Sequence, residues 1–289
     1  MSKPSLRAAL KAEKIVVAPG IHDMIAAVIS NKVGFDFVYG SGFWLTASAY
    51  GLPDAGIATY TQMVDRMATL TRTVNASVIA DADTGYGGLL NVHHTVRGYE
   101  AAGVVGIQIE DQEFPKKCGH TPFKRVVPTI DMVEKVKVAC AARTNPEETL
   151  IIARTDARQT DGFEGAVKRG LAYGEAGADI VFLEALESEA EMREACKRIN
   201  KPMMANMADG GKTPIYSKSE LAEIGYKFAI FPSITGLAAA AATENALKTL
   251  KATGTSVSHD VPLFNFGEFN SLIGFEDVWA FERKWARKP

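Results

Sequence analysis

The sequence predicts an α/β fold, a closed (β/α)8 TIM-type barrel followed by an extra C-terminal helical segment. Three observations lead there. Eight short apolar runs, rich in β-branched residues, alternate with helical stretches. Nearly every run ends in polar or glycine-rich residues, and the pattern stops at Gly254, leaving an aromatic-rich tail. An open doubly wound sheet would want a glycine fingerprint after its first strand, and Ala18-Pro19-Gly20-Ile21-His22-Asp23 is not one.

A short helix comes first, Ser5 to Ala12, with Ser5 as its cap. The predicted strands are Ile15–Ala18, Phe35–Tyr39, Ser77–Ala80, Val104–Ile109, Leu150–Ala153, Ile180–Leu183, Pro202–Ala205 and Phe228–Phe231. Near-continuous apolar runs of this kind mark strands covered on both faces. Helices over Asp23–Val33, Thr61–Thr73, His93–Ala102, Thr129–Ala142, Phe163–Ala176, Glu187–Ile199, Ser219–Ile224 and Leu237–Thr253 supply the crossovers. Gly34, Gly103 and Gly177 each read as a helix stop just before the next strand. Beyond Gly254, Val257 to Phe269 reads as a loop, and Ser271 to Trp285 as a helix carrying Leu272, Ile273, Phe275, Val278, Trp279, Phe281 and Trp285. Such a face, added to a complete barrel, needs cover, and a neighbouring subunit would supply it. The chain thus divides into a barrel domain, 1–254, and a C-terminal loop and helix for oligomer contacts, 255–289.

Composition bounds the function. A net charge of -2 gives no reason to expect nucleic acid or an anionic membrane as a partner. No apolar run reaches the ~18 residues of a membrane span, and the polar N-terminus is no signal peptide. Three scattered cysteines, Cys118, Cys140 and Cys196, argue against a disulfide framework and for a cytoplasmic protein. Cys140 and Cys196 lie in helical segments and read as packing residues. The five histidines show no zinc spacing: His93 and His94 open a helix at the surface, His22 follows the first strand, and His259 lies in the tail.

The chemistry gathers at strand ends. After the fourth strand comes Glu110-Asp111-Gln112-Glu113-Phe114-Pro115-Lys116-Lys117-Cys118-Gly119-His120, an acid pair, a cationic pair, a thiol and an imidazole within about a dozen residues. The lysines and His120 would favour thiolate over thiol, making Cys118 a proton carrier. The third strand ends in Asp81-Ala82-Asp83-Thr84-Gly85-Tyr86-Gly87. Residues two apart on an extended chain face one way, so Asp81 and Asp83 present two repelling carboxylates that a hard cation such as Mg²⁺ would relieve. Gly40-Ser41-Gly42-Phe43-Trp44 suggests backbone N–H groups able to hold a carboxylate or oxyanion. Arg154, at the fifth strand end, is placed to grip a carboxylate or carbonyl oxygen, or to pair with Asp156 structurally. Glu184 ends the sixth run, Asn206-Met207-Ala208-Asp209-Gly210-Gly211-Lys212 follows the seventh, and Pro232-Ser233 the eighth.

With these motifs in order, the sequence resembles the isocitrate lyase/phosphoenolpyruvate mutase superfamily over nearly its whole length. The most specific pieces are Lys116-Lys117-Cys118-Gly119-His120 and Asp81-Ala82-Asp83-Thr84-Gly85-Tyr86-Gly87, with Ile152-Ala153-Arg154-Thr155-Asp156-Ala157 in support. It looks like the short lyase branch, of methylisocitrate and dimethylmalate lyases and their plant and fungal relatives. The resemblance implies Mg²⁺ (Mn²⁺ as a substitute) at Asp81 and Asp83, with Asp54 and Glu110 in its water shell. It implies Ser41 and Gly42 on the carboxylate of a 2-oxo acid, Arg154 on its oxygen, and Glu184, Asn206, Gly119 and His120 around a second carboxylate. Tyr39 is in the place of the base and Cys118 in that of the acid. It also implies a homotetramer whose C-terminal helices swap between subunits.

The activity so implied is carbon–carbon cleavage of a 2-hydroxy dicarboxylate, such as 2,3-dimethylmalate, another alkylmalate or 2-methylisocitrate, to a 2-oxo acid and a carboxylate. Methylisocitrate lyases carry three glycines after the serine and Arg-Pro-Asn-Lys after the histidine. Here Phe43 and Trp44 follow Gly42, and Thr121-Pro122-Phe123-Lys124 follows His120, which favours a smaller, malate-like substrate. Rival readings keep the barrel and metal but change the reaction to oxaloacetate decarboxylation or hydrolysis, or to carboxyphosphonoenolpyruvate-type phosphonate chemistry. From another class, a non-catalytic barrel would bind metabolites or partners without turnover.

Overall fold

Eight parallel strands close on themselves in chain order, β1 (Val16–Ile21), β2 (Phe37–Gly40), β3 (Ser77–Asp81), β4 (Val104–Glu110), β5 (Leu150–Thr155), β6 (Ile180–Leu183), β7 (Met203–Asn206) and β8 (Phe228–Phe231). Closure is made where Val16 to Pro19 of β1 pair with Phe228 to Phe231 of β8. The computed structural model describes residues 3–12, 14–121, 123–257 and 261–286; His259 lies outside them.

Helices α1 (Leu6–Lys11), α2 (Met24–Val33), α3 (Gly42–Tyr50), α4 (Tyr60–Thr73), α5 (Leu89–Ala101), α6 (Thr129–Ala142), α7 (Gly162–Glu175), α8 (Glu189–Arg198), α9 (Lys218–Ile224) and α10 (Ile234–Thr253) connect and cover the strands. Two more, α11 (Phe266–Leu272) and α12 (Phe275–Trp285), form the tail.

Because side chains alternate along a strand, each strand serves two cores. Outward residues such as Ile107, Ile109, Ile151 and Ala153 pack under the helices with Met67, Leu70, Val136 and Tyr173. Inward residues Phe37, Ile79, Ile152, Ile180, Phe182, Met204 and Phe228 fill the barrel. Leu6 of α1 belongs to that inner cluster, so the short helix plugs the N-terminal end of the barrel. Ser5 caps it, its side chain accepting from the Ala8 N–H, and Arg7 ties it to Asp179 at 3.0 Å.

Gly34 ends α2 in the left-handed region (φ 87), and Gly103 and Gly177 take positive φ before their strands, as the glycine-stop reading expected. Helix α3 was not expected: its Gly-led, aromatic and threonine-containing sequence has low helix propensity, and tertiary context makes it helical. Helix α5 starts at Leu89, so His93 and His94 lie inside it rather than opening it; the His94 ring sits 4.8 Å from that of Tyr60. The predicted Ser271–Trp285 helix is two helices, broken at Gly274, which takes φ 91, and the first begins inside the stretch read as loop.

Helix α12 buries none of its residues, and Phe281 and Trp285 are 65% and 64% exposed. Helix α10 buries only Gly236, against which Trp44 packs. Part of the tail folds back on α2, where Lys32 lies 3.5 Å from Glu268 and over the Phe264 ring.

Candidate active site

The alternation that fills the barrel also builds its mouth. One residue pair further along the inner face from Phe37 is Tyr39; from Ile79, Asp81; from Gln108, Glu110; from Ile152, Arg154; from Phe182, Glu184; from Met204, Asn206. These six side chains line a cavity of about 270 Å³ with Ser41, Asp54 and the loop residues Lys116 to His120. Of the residues expected in the site, only Gly42 and Asp83 do not line it. Both stand close behind Asp81: a β-carbon on Gly42 would lie 3.0 Å from Asp81 Oδ2 and 3.3 Å from Asp83 Oδ1.

Asp81 and Asp83 therefore converge, but not by the alternation expected. The strand ends at Asp81, and Asp83 sits in the left-handed region (φ 48), its N–H donating to Asp81 Oδ1 at 3.0 Å. The Lys116 ammonium meets Asp83 Oδ1 at 2.7 Å and also bonds Asp54. Burial works against that ammonium, but Asp83 and Asp54 outweigh it and hold it charged. Burial pushes Asp83 up to about 7 against the pull of Lys116, and lifts Glu110 well above the carboxylate range against Arg154. Among the described residues, Glu110 Oε1 is buried with no hydrogen-bond partner.

Asp54, Asp81, Asp83 and Glu110 thus crowd around one lysine, and a divalent cation would relieve their mutual repulsion. Among the described residues no three His, Cys, Asp or Glu side chains converge to ligate one ion unaided. One or two carboxylates, completed by water and substrate oxygens, is the donor set that suits Mg²⁺. The residues fit it.

The opposite wall is built on Arg154. Its Nε and Nη2 grip Asp156 at 2.9 and 3.0 Å, so the structural pairing is real, yet Nη2 also reaches Glu184 at 3.2 Å and the residue lines the cavity. Glu184 accepts from Asn206 Nδ2 at 3.0 Å, and its Oε1 lies 3.5 Å from His120 Nε2. His120 Nδ1 accepts the Lys212 N–H at 3.3 Å, and its Nε2 lies 3.4 Å from Asn206 Nδ2. Ala185, next along from Glu184, takes φ 60; left-handed non-glycine residues follow both β3 and β6 at this mouth.

Cys118 lines the cavity, but not as the thiolate expected. Lys116 is engaged by Asp54 and Asp83, and Lys117 turns outward to the Phe123 carbonyl at 3.3 Å. Burial is the largest influence and pushes the thiol up, so Cys118 carries a proton at neutral pH. Tyr39 donates to Gln108 Oε1 at 3.1 Å, and burial, with Asp81, holds its phenol well above the usual range.

Ser41 caps α3 without using its hydroxyl on the helix, and the first-turn N–H groups beyond it are free to meet an anion. Phe43 and Trp44 both line the cavity, with Leu237 of α10, and form its apolar side. Their rings meet edge-on at 5.1 Å.

Sequence reasoning passed over several residues. Gln108, fully buried, joins Tyr39 to Asp81 Oδ1 at 3.4 Å; its signal was a single amide inside the apolar run Val104–Ile109. Lys124 is buried on Asp156 at 2.8 Å. Asp111 accepts from Thr155, Tyr173 and the Asp156 N–H at 2.6, 2.7 and 2.9 Å, bracing β5 from outside. His22 stays out of the cavity and bonds Thr235 of α10 at 2.9 Å.

A family model described as phosphoenolpyruvate phosphomutase matches residues 6–251. The chain belongs to the isocitrate lyase/phosphoenolpyruvate mutase superfamily. Within it the chain falls in the short lyase branch. It is 43% identical over 281 residues to 2,3-dimethylmalate lyase of Eubacterium barkeri, covering 97% of each chain. It is 42% identical to 2-methylisocitrate lyase of Aeropyrum pernix, covering 98% of this chain and 91% of that one. Among solved structures, oxaloacetate acetylhydrolase bound to the inhibitor 3,3-difluorooxalacetate superimposes with a TM-score of 0.92 at 30% identity, covering 98% of this chain and 97% of the other. No described helix is long and apolar enough to cross a membrane.

Proposed function

We propose that the protein is a Mg²⁺-dependent carbon–carbon lyase that cleaves a 2-hydroxy dicarboxylate, such as 2,3-dimethylmalate, another alkylmalate or 2-methylisocitrate, into a 2-oxo acid and a carboxylate. The observation that carries this reading is the placement of a protonated Cys118 thiol in the same cavity as Asp81, behind which Asp83 stands, and Arg154. Asp81 and Asp83 would hold the cation, with Asp54 and Glu110 beside it. When bound, it supplies positive charge that offsets Asp81 and Glu110, lowers the Tyr39 phenol and stabilises negative charge on the oxo-acid oxygen.

Tyr39, once its phenol has lost its proton to solvent, takes the proton of the substrate hydroxyl, and the C2–C3 bond breaks towards the departing carboxylate. Cys118 hands its proton to the carbon so left, and solvent restores both groups. Ser41 and the start of α3 hold the oxo-acid carboxylate, and Arg154 its oxygen. Gly119, His120, Glu184 and Asn206 surround the second carboxylate. Phe43 in the cavity wall, and Thr121 where an arginine would meet a third carboxylate, favour an alkylmalate over methylisocitrate.

A second reading, hydrolysis of oxaloacetate, is favoured by the likeness to oxaloacetate acetylhydrolase. A panel of alkylmalates, methylisocitrate, isocitrate, oxaloacetate and phosphonopyruvate, assayed with Mg²⁺, separates them by product. Pyruvate plus a monocarboxylate from an alkylmalate supports the lyase; oxalate plus acetate from oxaloacetate alone supports the hydrolase. Binding across the panel without any turnover would favour the non-catalytic barrel.

The barrel, 1–254, is the catalytic unit, and the tail, 255–289, serves assembly into a homotetramer with swapped helices. The uncovered aromatic face of α12 supports this. Three free thiols support a cytoplasmic setting.

A further inference from the structure

The loop that carries Cys118 leaves and re-enters the barrel through a narrow neck. Glu113 N–H donates to the Arg125 carbonyl and Val127 N–H to that of Asp111, each at 2.9 Å. Inside the loop, the Gln112 side chain donates to the Lys117 carbonyl at 2.8 Å and accepts its N–H at 2.9 Å. None of these bonds presses the loop onto the barrel mouth; they would survive if it swung about its neck.

Lys124 makes a contact of another kind. Its side chain is 1% exposed although it belongs to a surface loop, and Asp156 beneath it is wholly buried. The ammonium bonds Asp156 Oδ1 at 2.8 Å and also the carbonyl of Gly119, the residue after Cys118. Gln159 Nε2 adds a second donor to that carbonyl at 3.3 Å. Phe123, just before, takes φ 63 with its side chain out in solvent, so the backbone turns sharply before Lys124, whose side chain goes inward. A left-handed phenylalanine is an unfavourable conformation, retained where the surroundings demand it.

Asp156 is also the carboxylate that grips Arg154 through both oxygens, and its Oδ1 serves Arg154 Nη2 and Lys124 Nζ together. One buried carboxylate thereby aims the guanidinium and, through Lys124, anchors the backbone beside the thiol. A buried ion pair of this sort is close to break-even against its hydrated parts, which makes a seat that can form and release rather than a permanent weld.

We propose that Lys124 is a positioning residue that, beside the Lys116 contacts to Asp54 and Asp83, seats the Cys118 loop over the site, its ammonium joining the Gly119 carbonyl to Asp156. This rests on Cys118 acting as the acid, but the test needs no turnover. Alkylation of the wild type and of Lys124→Met by iodoacetamide, followed peptide by peptide, reads each thiol separately. Cys140 and Cys196, on α6 and α8, report the rest of the barrel. The expected result is Cys118 alkylation faster by about tenfold or more, with the other two unchanged, because only the loop opens. In the same variant kcat on the accepted hydroxy acid falls while its KM changes little. Unchanged alkylation of Cys118 would overturn the proposal. Faster alkylation of all three thiols would overturn it as well, by making Lys124 a general stabiliser of the barrel.

Discussion

Gly119 rests its Cα on the Arg154 guanidinium, so close that a β-carbon would stand 2.2 Å from Nη2. The same β-carbon would lie 2.7 Å from Glu184 Cγ. Arg154 has little freedom to yield, since Asp156 holds it through two nitrogens. The requirement for glycine here is a matter of space.

Gly119→Ala is therefore expected to keep the barrel folded but prevent the loop from seating. A displacement of about 1 Å in a catalytic loop costs on the order of 100-fold in kcat/KM. Steady-state kinetics beside a thermal melt check this: activity falls and the melting temperature barely moves.

Asp156 has a different signature. Burial raises its carboxyl, but Arg154 and Lys124 outweigh burial and hold it well below the usual carboxylate range. A depressed folded-state value contributes stability that is full above the unfolded value of about 3.9 and is lost as pH falls through the folded one. Acid unfolding should thus have a limb below pH ~4 that Asp156→Asn removes. The variant should also lose about 3–5 kcal/mol at neutral pH, since Arg154 and Lys124 would remain buried beside a neutral amide. Denaturant melts across pH measure both.

At the acid cluster, Asp81→Ala or Asp83→Ala should weaken Mg²⁺-dependent pyruvate binding by roughly 10–100-fold, the cost typical of disturbing a metal's immediate surroundings. Calorimetric titration of pyruvate with and without Mg²⁺ reads this. EDTA should abolish turnover and fresh Mg²⁺ restore it; undiminished activity in EDTA would remove the cation from the mechanism.

The tail gives a prediction about assembly. Light scattering should return about four times the 31.1 kDa chain mass. Phe281→Asp with Trp285→Asp should lower that mass while leaving the barrel folded, because among the described residues this aromatic face stays largely exposed.

Much of this is legible in the sequence. Continuous apolar runs ending in polar residues gave the barrel, because a strand covered on both faces leaves no other composition. The same rule placed Glu110, Arg154, Glu184 and Asn206 at the mouth. What stayed hidden depended on contacts distant in sequence. Lys116 reads as a loop cation and Lys124 as no more than part of the stretch after His120, yet Asp54 and Asp156 draw both inward. The expected Cys118 thiolate failed for that reason, since the positive charges assigned to it were taken up elsewhere and burial decided the matter. Helix α3 was missed because Gly42-Phe43-Trp44-Leu45-Thr46 has low helix propensity and Trp44 packs on Gly236 of distant α10.

The most direct test of the lyase chemistry is turnover of 2,3-dimethylmalate with Mg²⁺ in D2O, by the wild type and by Cys118→Ser, with products read by mass spectrometry. The expected result is pyruvate and propionate in equal amounts, the propionate carrying a single deuterium at C2 delivered from the exchanged thiol. The serine variant should lose turnover by on the order of 100- to 10,000-fold while still binding Mg²⁺ and pyruvate. Cleavage by Cys118→Ser at the wild-type rate would contradict the account.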